Sequence, residues 1–468
     1  MSIAFDHSYA RDLPGTYLRV APDPAPAPRL LALNTPLAAE LGLDITDAEA
    51  TAWFSGAALP PGADPIAQAY AGHQFGGFSS QLGDGRAHLL GEVIAPDGRR
   101  FDIQLKGSGR TPFSRGGDGK AAVGPMLREY LISEFMAAAR VPTTRSLAVV
   151  ATGEEIWRET KLPGAVLARV AASHLRVGTF QFFAARGETA KVRALADHAI
   201  ARHYPELARA ATPYLAFFDA VAARQARLIA EWMGLGFIHG VMNTDNMAIS
   251  GETIDYGPCA FMEAYAPGTV FSSIDHQGRY AYANQPLILG WNLARLAETL
   301  LPLFDPVPDR AVEIANDRLA GIADRYRAEW LGVMRRKLGL PGEDAGDAAL
   351  AEDLMAAMEG ADWTLTFRRL ADEAALRPLF RDFSRMEVWL PRWRARAGDG
   401  VQGRIAGANP AVIPRNHKVE EALAAATAGD LAPFQALLAA IRQPFVEAEP
   451  YNLPAPTGFG PYVTFCGT

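Results

Sequence analysis

Five residues have types and spacings that could bind phosphates and a metal ion. Lys106 ends the apolar–polar run DIQLK, and Glu129 follows 23 residues later. A lysine held by a glutamate presents a fixed cation that could neutralise phosphate oxygens. Asn246 and Asp255 lie nine residues apart and carry the oxygen ligands that Mg²⁺ prefers, and His239 precedes them. Each pair alone also fits a surface lysine or a structural carboxylate, whereas the ordered set indicates a nucleotide site.

The segment 239–246, HGVMNTDN, aligns with the kinase catalytic loop H-R-D-x-x-x-x-N. Its histidine and its last asparagine match, but Val241 stands where that loop has the proton-accepting aspartate. An apolar side chain cannot accept a proton. The protein is therefore either an inactive binder or one that uses another carboxylate, for which Asp245 is the best candidate. The tripeptide DYG, which begins at Asp255, resembles the metal-binding DFG motif, and MAISGETI before it predicts a hairpin that turns at Gly251.

Two glycines and two arginines complete the predicted phosphate site. Gly83 and Gly85 lie at the tip of a predicted hairpin, where the backbone could approach phosphates closely. Arg169 lies in the buried-looking strand AVLARVAAS, and Arg176 follows in HLRVG. A buried arginine needs an anionic partner, which a nucleotide or a structural carboxylate could supply.

The run RGGDGK contains Gly119-Lys120 and resembles a phosphate-binding P-loop. That motif needs a glycine five residues before Gly119 and a serine or threonine after the lysine, where this chain has Ser114 and Ala121. The P-loop interpretation is therefore rejected. Asp118 and Gly119 could instead face the nucleotide from another side of the site.

The elements that must position these residues change in type along the chain. Tight turns at 83–85 and 96–98 predict a three-stranded β-meander, and SLAVVAT and GAVLARVA predict buried strands. The spacing of apolar residues predicts helices over 125–140 and 214–234 and again beyond residue 290, with a loop at 398–414. We expect an α+β fold with a β-rich N-terminal part and a helical C-terminal part.

Composition excludes several classes of protein. The 468 residues are 49% hydrophobic and 21% charged, which is typical of a globular protein, and the net charge of −7 argues against broad nucleic-acid binding. Two cysteines exclude a disulfide framework and a thiolate zinc site. The first 14 residues lack a secretory pattern, and no apolar run approaches the roughly 20 residues that span a membrane. We expect a cytoplasmic protein with no membrane and no nucleic-acid partner.

Long and unusual motifs resemble the selenoprotein O family, also called the YdiU family, over nearly the whole chain. The resemblance implies a protein-kinase-like bilobal fold and protein adenylylation, in which AMP passes from ATP to Ser, Thr or Tyr hydroxyls of other proteins. It implies a flipped ATP, with the γ-phosphate inward and the α-phosphate open to attack. The motifs are YAGHQFGGFSSQLGDGRAHLLGE, IQLKGSGRTPFSRGGDGKA, PMLREYLISE, ARVAASHLRVGTFQFF, GFIHGVMNTDNM and TIDYGPCAFMEAY.

The resemblance also implies roles for individual residues. Asn246 and Asp255 would bind Mg²⁺ or Mn²⁺, Asp245 would accept the proton, and Glu129 would pair with the lysine. The partners would be ATP and hydroxyl-bearing substrate proteins, and we expect a monomer. The implied ATP-binding residues are Gly83, Gly85, Arg86, Lys106, Asp118, Gly119, Arg169 and Arg176.

The resemblance suggests a division of the chain and a redox function for its two cysteines. We predict that residues 1–65 wrap the core, that 66–185 form the β-rich lobe, that 186–300 form the helical lobe and that 301–468 form a helical extension. Some members carry selenocysteine near the C-terminus, so Cys259 and Cys466 could form a regulatory disulfide, although two unrelated thiols are the simpler interpretation.

Two other functions remain open from the sequence. The first is an ordinary kinase, with Asp245 as its base. The second is a pseudokinase scaffold that binds a nucleotide without turnover. Val241 disfavours ordinary phosphoryl transfer, and the full set of ATP and metal residues disfavours a pure scaffold.

Overall fold

A computed structural model describes residues 3–465 as a mixed α/β protein with one large antiparallel sheet. Its strands are β1 (Tyr17–Arg19), β2 (Arg29–Leu33), β3 (Ile66–Gln68), β4 (Gly72–Gln74), β5 (Gly77–Ser79), β6 (Ala87–Ile94), β7 (Arg100–Lys106), β8 (Arg145–Trp157), β9 (Lys161–Ala171), β10 (Phe237–Ile238) and β11 (Ala260–Phe261). The large sheet has the order β1-β3-β6-β7-β9-β8-β2, while β4 pairs with β5 and β10 with β11.

Helices dominate the chain after β9. They are α1 (Ser8–Asp12), α2 (Thr35–Glu40), α3 (Asp47–Phe54), α4 (Val123–Ala138), α5 (Val177–Ala184), α6 (Thr189–His203), α7 (Pro213–Leu235), α8 (Gln285–Phe304), α9 (Pro308–Ala320), α10 (Ile322–Lys337), α11 (Asp347–Ala357), α12 (Trp363–Arg368), α13 (Glu373–Leu376), α14 (Ser384–Ala397), α15 (Val401–Ala408), α16 (Asn416–Thr427) and α17 (Ala432–Ile441). The expected β-rich first part and helical second part are confirmed.

The sheet has a hydrophobic core on each face. On one face α4 packs against β8 and β9, and this core continues into the C-terminal helices. On the other face α2 and α3 bury Leu37 and Phe54 against the sheet. Residues 1–65 supply both edge strands, β1 and β2, in addition to these two helices.

Most of the predicted elements form. The turn at 96–98 joins β6 to β7, and the helix predicted over 214–234 is α7, which Gly236 ends in the left-handed conformation at φ +69°. The three-stranded meander is wrong, because the run before Gly83 belongs to the separate β4–β5 hairpin.

Two smaller predictions are also wrong. MAISGETI contains no strand: it turns at Gly251, but single bridges join Ala248 to Arg176 and Thr253 to Thr143 instead of to each other. The loop expected at 398–414 contains α15, because Ile405 packs into the core despite the neighbouring glycines.

One stretch, Tyr282–Phe304, is long and apolar enough by length and composition to cross a membrane, with a mean hydropathy of 1.2. Within the protein, 44% of its most apolar window is buried. Helix α8, which forms most of it, packs against α5, α7 and α9. A core helix passes the same test, and these contacts bury part of its apolar surface, although Leu287 is 71% exposed.

Candidate active site

One cleft of about 490 Å³ lies between the sheet and the helical part. The structure brings every predicted nucleotide, base and metal residue to this cleft. Its lining includes Gly83, Gly85, Arg86, Lys106, Asp118, Gly119, Glu129, Arg169, Arg176, Asp245, Asn246 and Asp255.

Charged side chains in the cleft lining form ion pairs with one another. Lys106, the last residue of the central strand β7, donates from Nζ to Glu129 Oε2 at 2.6 Å and to Asp255 Oδ1 at 2.5 Å. Helix α4 lies across the sheet and carries Glu129, which is 3% exposed. The predicted lysine–glutamate pair is therefore present as a contact, and Asp255 joins it.

Both arginines predicted from the sequence contact the same carboxylate. Arg169 Nη1 lies 2.8 Å from Asp255 Oδ1, and Arg176 Nη1 lies 2.9 Å from Asp255 Oδ2. Burial alone would raise the pKa of Asp255, but the charges of Lys106, Arg169 and Arg176 hold that pKa well below its usual range. Asp255 is thus ionised at neutral pH and forms ion pairs with three buried cations.

The loop after β10 presents the predicted metal ligands. His239 is fully buried and donates from Nε2 to the Ile254 carbonyl at 2.9 Å, which ties this loop to the segment before Asp255. Asn246 Nδ2 donates to the Val241 carbonyl at 3.0 Å. Because the amide nitrogen is used in this bond, the Oδ1 atom is the one that can bind a metal ion.

The two predicted metal ligands, Asn246 and Asp255, both line the cleft and both carry oxygen donors. Among residues 3–465, no three His, Cys, Asp or Glu side chains are grouped to hold a metal ion. One amide oxygen and one carboxylate suit Mg²⁺, which is commonly bound by one or two protein oxygens together with substrate phosphates. Asn246 and Asp255 fit this donor set.

The candidate base, Asp245, also lines the cleft. Asp245 is 7% exposed, and its Oδ1 atom is buried without a hydrogen-bond partner. Gln74 Nε2 of the β4–β5 hairpin approaches Oδ2 at 3.4 Å, and a Cβ atom at Gly72 would overlap Oδ1. Burial raises the pKa of Asp245 to about 6. Glycine at position 72 is what lets the hairpin cover this carboxylate.

The glycine-rich segments act through close packing. Gly83 has φ +72°, and a Cβ atom there would overlap the ring of Phe113. A Cβ atom at Gly85 would lie 2.8 Å from the Phe113 carbonyl oxygen, which is also too close. Between them Asp84 is 2% exposed and accepts from the Gln68 amide at 3.0 Å, so the turn is fixed from inside. These glycines bring backbone to the wall of the cleft.

The sequence did not predict a role for Arg158, which also lines the cleft. Its Nη1 atom donates to Asp118 Oδ2 at 2.8 Å, and its Nη2 atom donates to the Lys120 carbonyl at 2.8 Å. Asp118 is therefore held by an arginine at the end of β8 and accepts from the Lys120 amide. No local motif marks Arg158, because its partners lie about 40 residues earlier.

The last described residues reach the segment that follows the DYG motif. The Thr464 amide donates to the Phe271 carbonyl at 2.8 Å, and its hydroxyl donates to the Pro258 carbonyl at 2.7 Å. Cys259, next to Pro258, is buried, and burial raises the pKa of its thiol to about 12. Cys466 lies outside the described residues, so the disulfide stays a prediction.

Comparisons with known proteins identify the family of this chain. The sequence profile of the family described as "Protein adenylyltransferase SelO" matches residues 1–442. A protein of Cereibacter sphaeroides named "Protein nucleotidyltransferase YdiU" is 65% identical, with both chains covered in full. A protein of the same name from Rhizobium rhizogenes is 56% identical over the whole of this chain and 97% of its own. The chain belongs to the SelO family of protein adenylyltransferases.

Proposed function

We propose that this chain is an enzyme that transfers AMP from ATP to hydroxyl side chains of substrate proteins, with pyrophosphate as the other product. Membership of the SelO family supports this activity. In finer detail, we propose a kinase-like bilobal arrangement, in which the β-rich and helical parts enclose the nucleotide. The observation that carries the proposal is one cleft whose lining holds both the paired cations Lys106, Arg169 and Arg176 and the buried Asp245 carboxylate.

The three buried cations are the proposed phosphate site. Among residues 3–465, the salt bridges of Lys106, Arg169 and Arg176 are made to Glu129 and Asp255. Three cations thus share two carboxylates in direct contact, and Asp84 and Asp245 add further negative charge near Arg176. A γ-phosphate directed inward would be neutralised there, and Lys106 and Arg176 would stabilise the charge that develops on the leaving pyrophosphate.

Asn246 and Asp255 are the proposed ligands of Mg²⁺ or Mn²⁺. When bound, the ion would neutralise phosphate charge as the phosphorus–oxygen bond breaks. Asp255 also contacts Lys106, Arg169 and Arg176, and it lines the same cleft as Asn246. Both metals accept the same oxygen donors, and the choice between them is open.

Asp245 is the proposed general base. Val241 occupies the usual position of the kinase base and lines the same cleft. The acceptor O–H bond breaks, its proton passes to Asp245, and the oxygen forms a bond to the α-phosphorus. The bond from that phosphorus to the bridging oxygen breaks, and pyrophosphate leaves with the electron pair. Among residues 3–465, the buried Oδ1 atom of Asp245 has no hydrogen-bond partner, so this carboxylate has an unused acceptor atom beside the cleft.

Parallel labelling tests the proposal. Purified protein is incubated with Mg²⁺, casein as a general acceptor, and ATP labelled at either the α or the γ phosphate. We expect label from the α position only, with a mass gain equal to AMP. Asp255→Asn should abolish the transfer, whereas Asp353→Asn, which removes an exposed charge paired with Arg392, should not change it. Label from the γ position would indicate a kinase, and ATP binding without any label would indicate a scaffold.

A tail disulfide is a separate proposal that stays untested. Thr464 contacts Pro258, which brings the tail next to Cys259, and Cys466 follows two residues later. Because burial raises the pKa of Cys259 to about 12, its reactive thiolate is scarce at neutral pH, and we expect slow pairing. Non-reducing peptide mapping after oxidation should show the cross-link, and two free thiols would contradict it. The cytoplasmic location and the monomeric state also stay predictions.

A further inference from the structure

A hydroxyl next to the proposed base belongs to a closed cluster of hydrogen bonds. Thr244 directly precedes Asp245 and is fully buried. Its Oγ1 atom accepts from the His73 amide at 2.7 Å and donates to Gln181 Oε1 at 2.6 Å. Gln181 Nε2 in turn lies 2.8 Å from His73 Nδ1, which closes the cluster. Strand β4, helix α5 and the turn that contains Asp245 therefore meet at one hydroxyl group.

The cluster has one consistent assignment of donors and acceptors. Because the Thr244 hydroxyl donates to Oε1 of Gln181, the amide nitrogen of Gln181 is the atom that faces His73. Burial lowers the pKa of His73, so its ring is neutral at pH 7 and the Nδ1 atom can accept this bond. Gln181 is only 4% exposed, so water would not readily replace a bond that is lost.

A second set of bonds holds the β4–β5 hairpin to the same turn. The Phe75 amide donates to Asn243 Oδ1 at 3.1 Å, and the Tyr280 hydroxyl donates to the same oxygen at 2.6 Å. Gln74 approaches Asp245 Oδ2 at 3.4 Å. The hairpin is therefore docked on the residues that surround the base as well as on the base itself.

Helix α5 also holds the backbone of the base. Arg176, the residue that precedes α5, donates from Nη1 to the Asp245 carbonyl at 2.7 Å. The Ala71 amide, just before β4, donates to the carbonyl of Gly178 in the first turn of α5 at 2.9 Å. Gln181 follows about one turn later in the same helix. Its side chain thus joins the hairpin, the helix and the turn at the position of the base.

We propose that Thr244 and Gln181 are positioning residues for AMP transfer, because their hydrogen bonds fix the Asp245 carboxylate relative to the β4–β5 hairpin. This inference rests on the proposed function and adds two residues that the base depends on. Neither side chain is part of the cleft lining, so both act through Asp245 and not through the substrate. A shift of the base by about 1 Å is enough to slow proton transfer severely.

Two variants that keep most of the side-chain volume test the cluster. Thr244→Val removes the hydroxyl, and Gln181→Leu removes the amide. With α-labelled ATP and casein as the acceptor, we expect kcat to fall about tenfold or more in each variant. The KM for ATP should stay within about twofold, because the nucleotide contacts remain. Thr244→Ser keeps the hydroxyl and should recover most of the wild-type kcat.

A matched control and a double variant sharpen the test. Thr299 is also a buried threonine, but its hydroxyl donates to the Leu296 carbonyl within α8, outside the cleft lining, so Thr299→Val should keep the wild-type kcat. Thr244→Val combined with Gln181→Leu should be about as slow as either single variant, since both changes break one cluster. Each kcat is expressed per molecule that binds MgATP, measured by calorimetry, so that misfolded protein does not count.

Three results would overturn the inference. Wild-type kcat in both single variants would show that the cluster does not position the base. Thr244→Ser as slow as Thr244→Val would show that the hydroxyl is not the group that matters. A raised KM for ATP with unchanged kcat would assign both residues to nucleotide binding. In all three cases the wild-type enzyme still transfers AMP, whereas a wild-type protein that leaves casein unlabelled would contradict the proposed function, and the inference with it.

Discussion

Two carboxylates of the cleft differ in how their charge is met. Both oxygens of Asp255 contact cations: Lys106 and Arg169 at Oδ1, and Arg176 at Oδ2. Among residues 3–465, the Oδ1 atom of Asp245 is buried without a hydrogen-bond partner, and Gln74 lies 3.4 Å from its Oδ2 atom. Asp255 is thus held by ion pairs before any ligand arrives, whereas Asp245 is not.

This difference indicates what each carboxylate does when a ligand binds. The cations around Asp255 need little reorganisation to hold phosphates, because the carboxylates that they already contact fix their positions. An unpartnered buried oxygen costs about 1–3 kcal/mol, and a ligand that satisfies it would recover that free energy on binding. We therefore expect substitutions in the Asp255 network to affect folding as well as catalysis, and substitution of Asp245 to affect catalysis alone.

The largest effect should come from Lys106→Met. It removes the cation that Glu129 and Asp255 both contact, so AMP transfer should fall about 10³-fold. Breaking a buried ion pair should also lower the free energy of unfolding by about 3 kcal/mol. Label transfer and urea unfolding measure the two quantities. Lys161→Met, at an exposed pair with Glu155, is the control. An unchanged free energy of unfolding for Lys106→Met would contradict the view that these ion pairs stabilise the fold.

Asp245→Asn should separate catalysis from stability. Loss of the proposed base should lower kcat about 10²-fold, while the KM for ATP stays within about twofold. The free energy of unfolding should not fall, because the amide removes a buried charge whose Oδ1 atom has no partner. Steady-state kinetics and urea unfolding measure the two effects. A large loss of stability would show that Asp245 belongs to the same stabilising ion-pair network as Asp255.

Gly72→Ala should have a moderate effect. The added methyl group would overlap Asp245 Oδ1 and crowd Leu82, so the hairpin or the base must move. A small displacement of a reacting group is enough to slow transfer by about tenfold. Gly403→Ala, a helical site with open space around it, should leave the rate unchanged. Equal rates for both variants would show that the hairpin adjusts freely.

Lys337 is a buried lysine outside the cleft lining, and its substitution should affect stability alone. Lys337 donates to Asn409 at 2.9 Å, and burial lowers its pKa to about 7, below the usual 10.5. The unfolded chain therefore binds the proton more tightly, and this group makes the fold more stable as pH rises from about 7 to 10.5. Urea unfolding at pH 7.5 and 9.5 should show a gain of about 2 kcal/mol that Lys337→Met lacks. Equal pH slopes for the two proteins would contradict the shifted pKa.

The sequence predicted residues whose roles depend on local pattern. Lys106 and Asp255 were found because a strand end and a short motif mark them. Arg158 was not found, since its partners come from a distant segment and no spacing marks it. The helix at Val401–Ala408 was missed for a related reason, because its glycines lower helix propensity and only the packing of Ile405 overrides them.

The path of the chain end has a practical consequence for anyone who handles this enzyme. Thr464 hydrogen-bonds to Phe271 and to Pro258, which lines the cleft, so the last described residues lie beside the cleft. A bulky group attached close to Thr464 would crowd the entrance for large acceptors. Purification tags and fluorescent fusions for assays on whole proteins are therefore better placed at the N-terminus, and removal of a cleavable C-terminal tag offers a simple check on entry to the cleft.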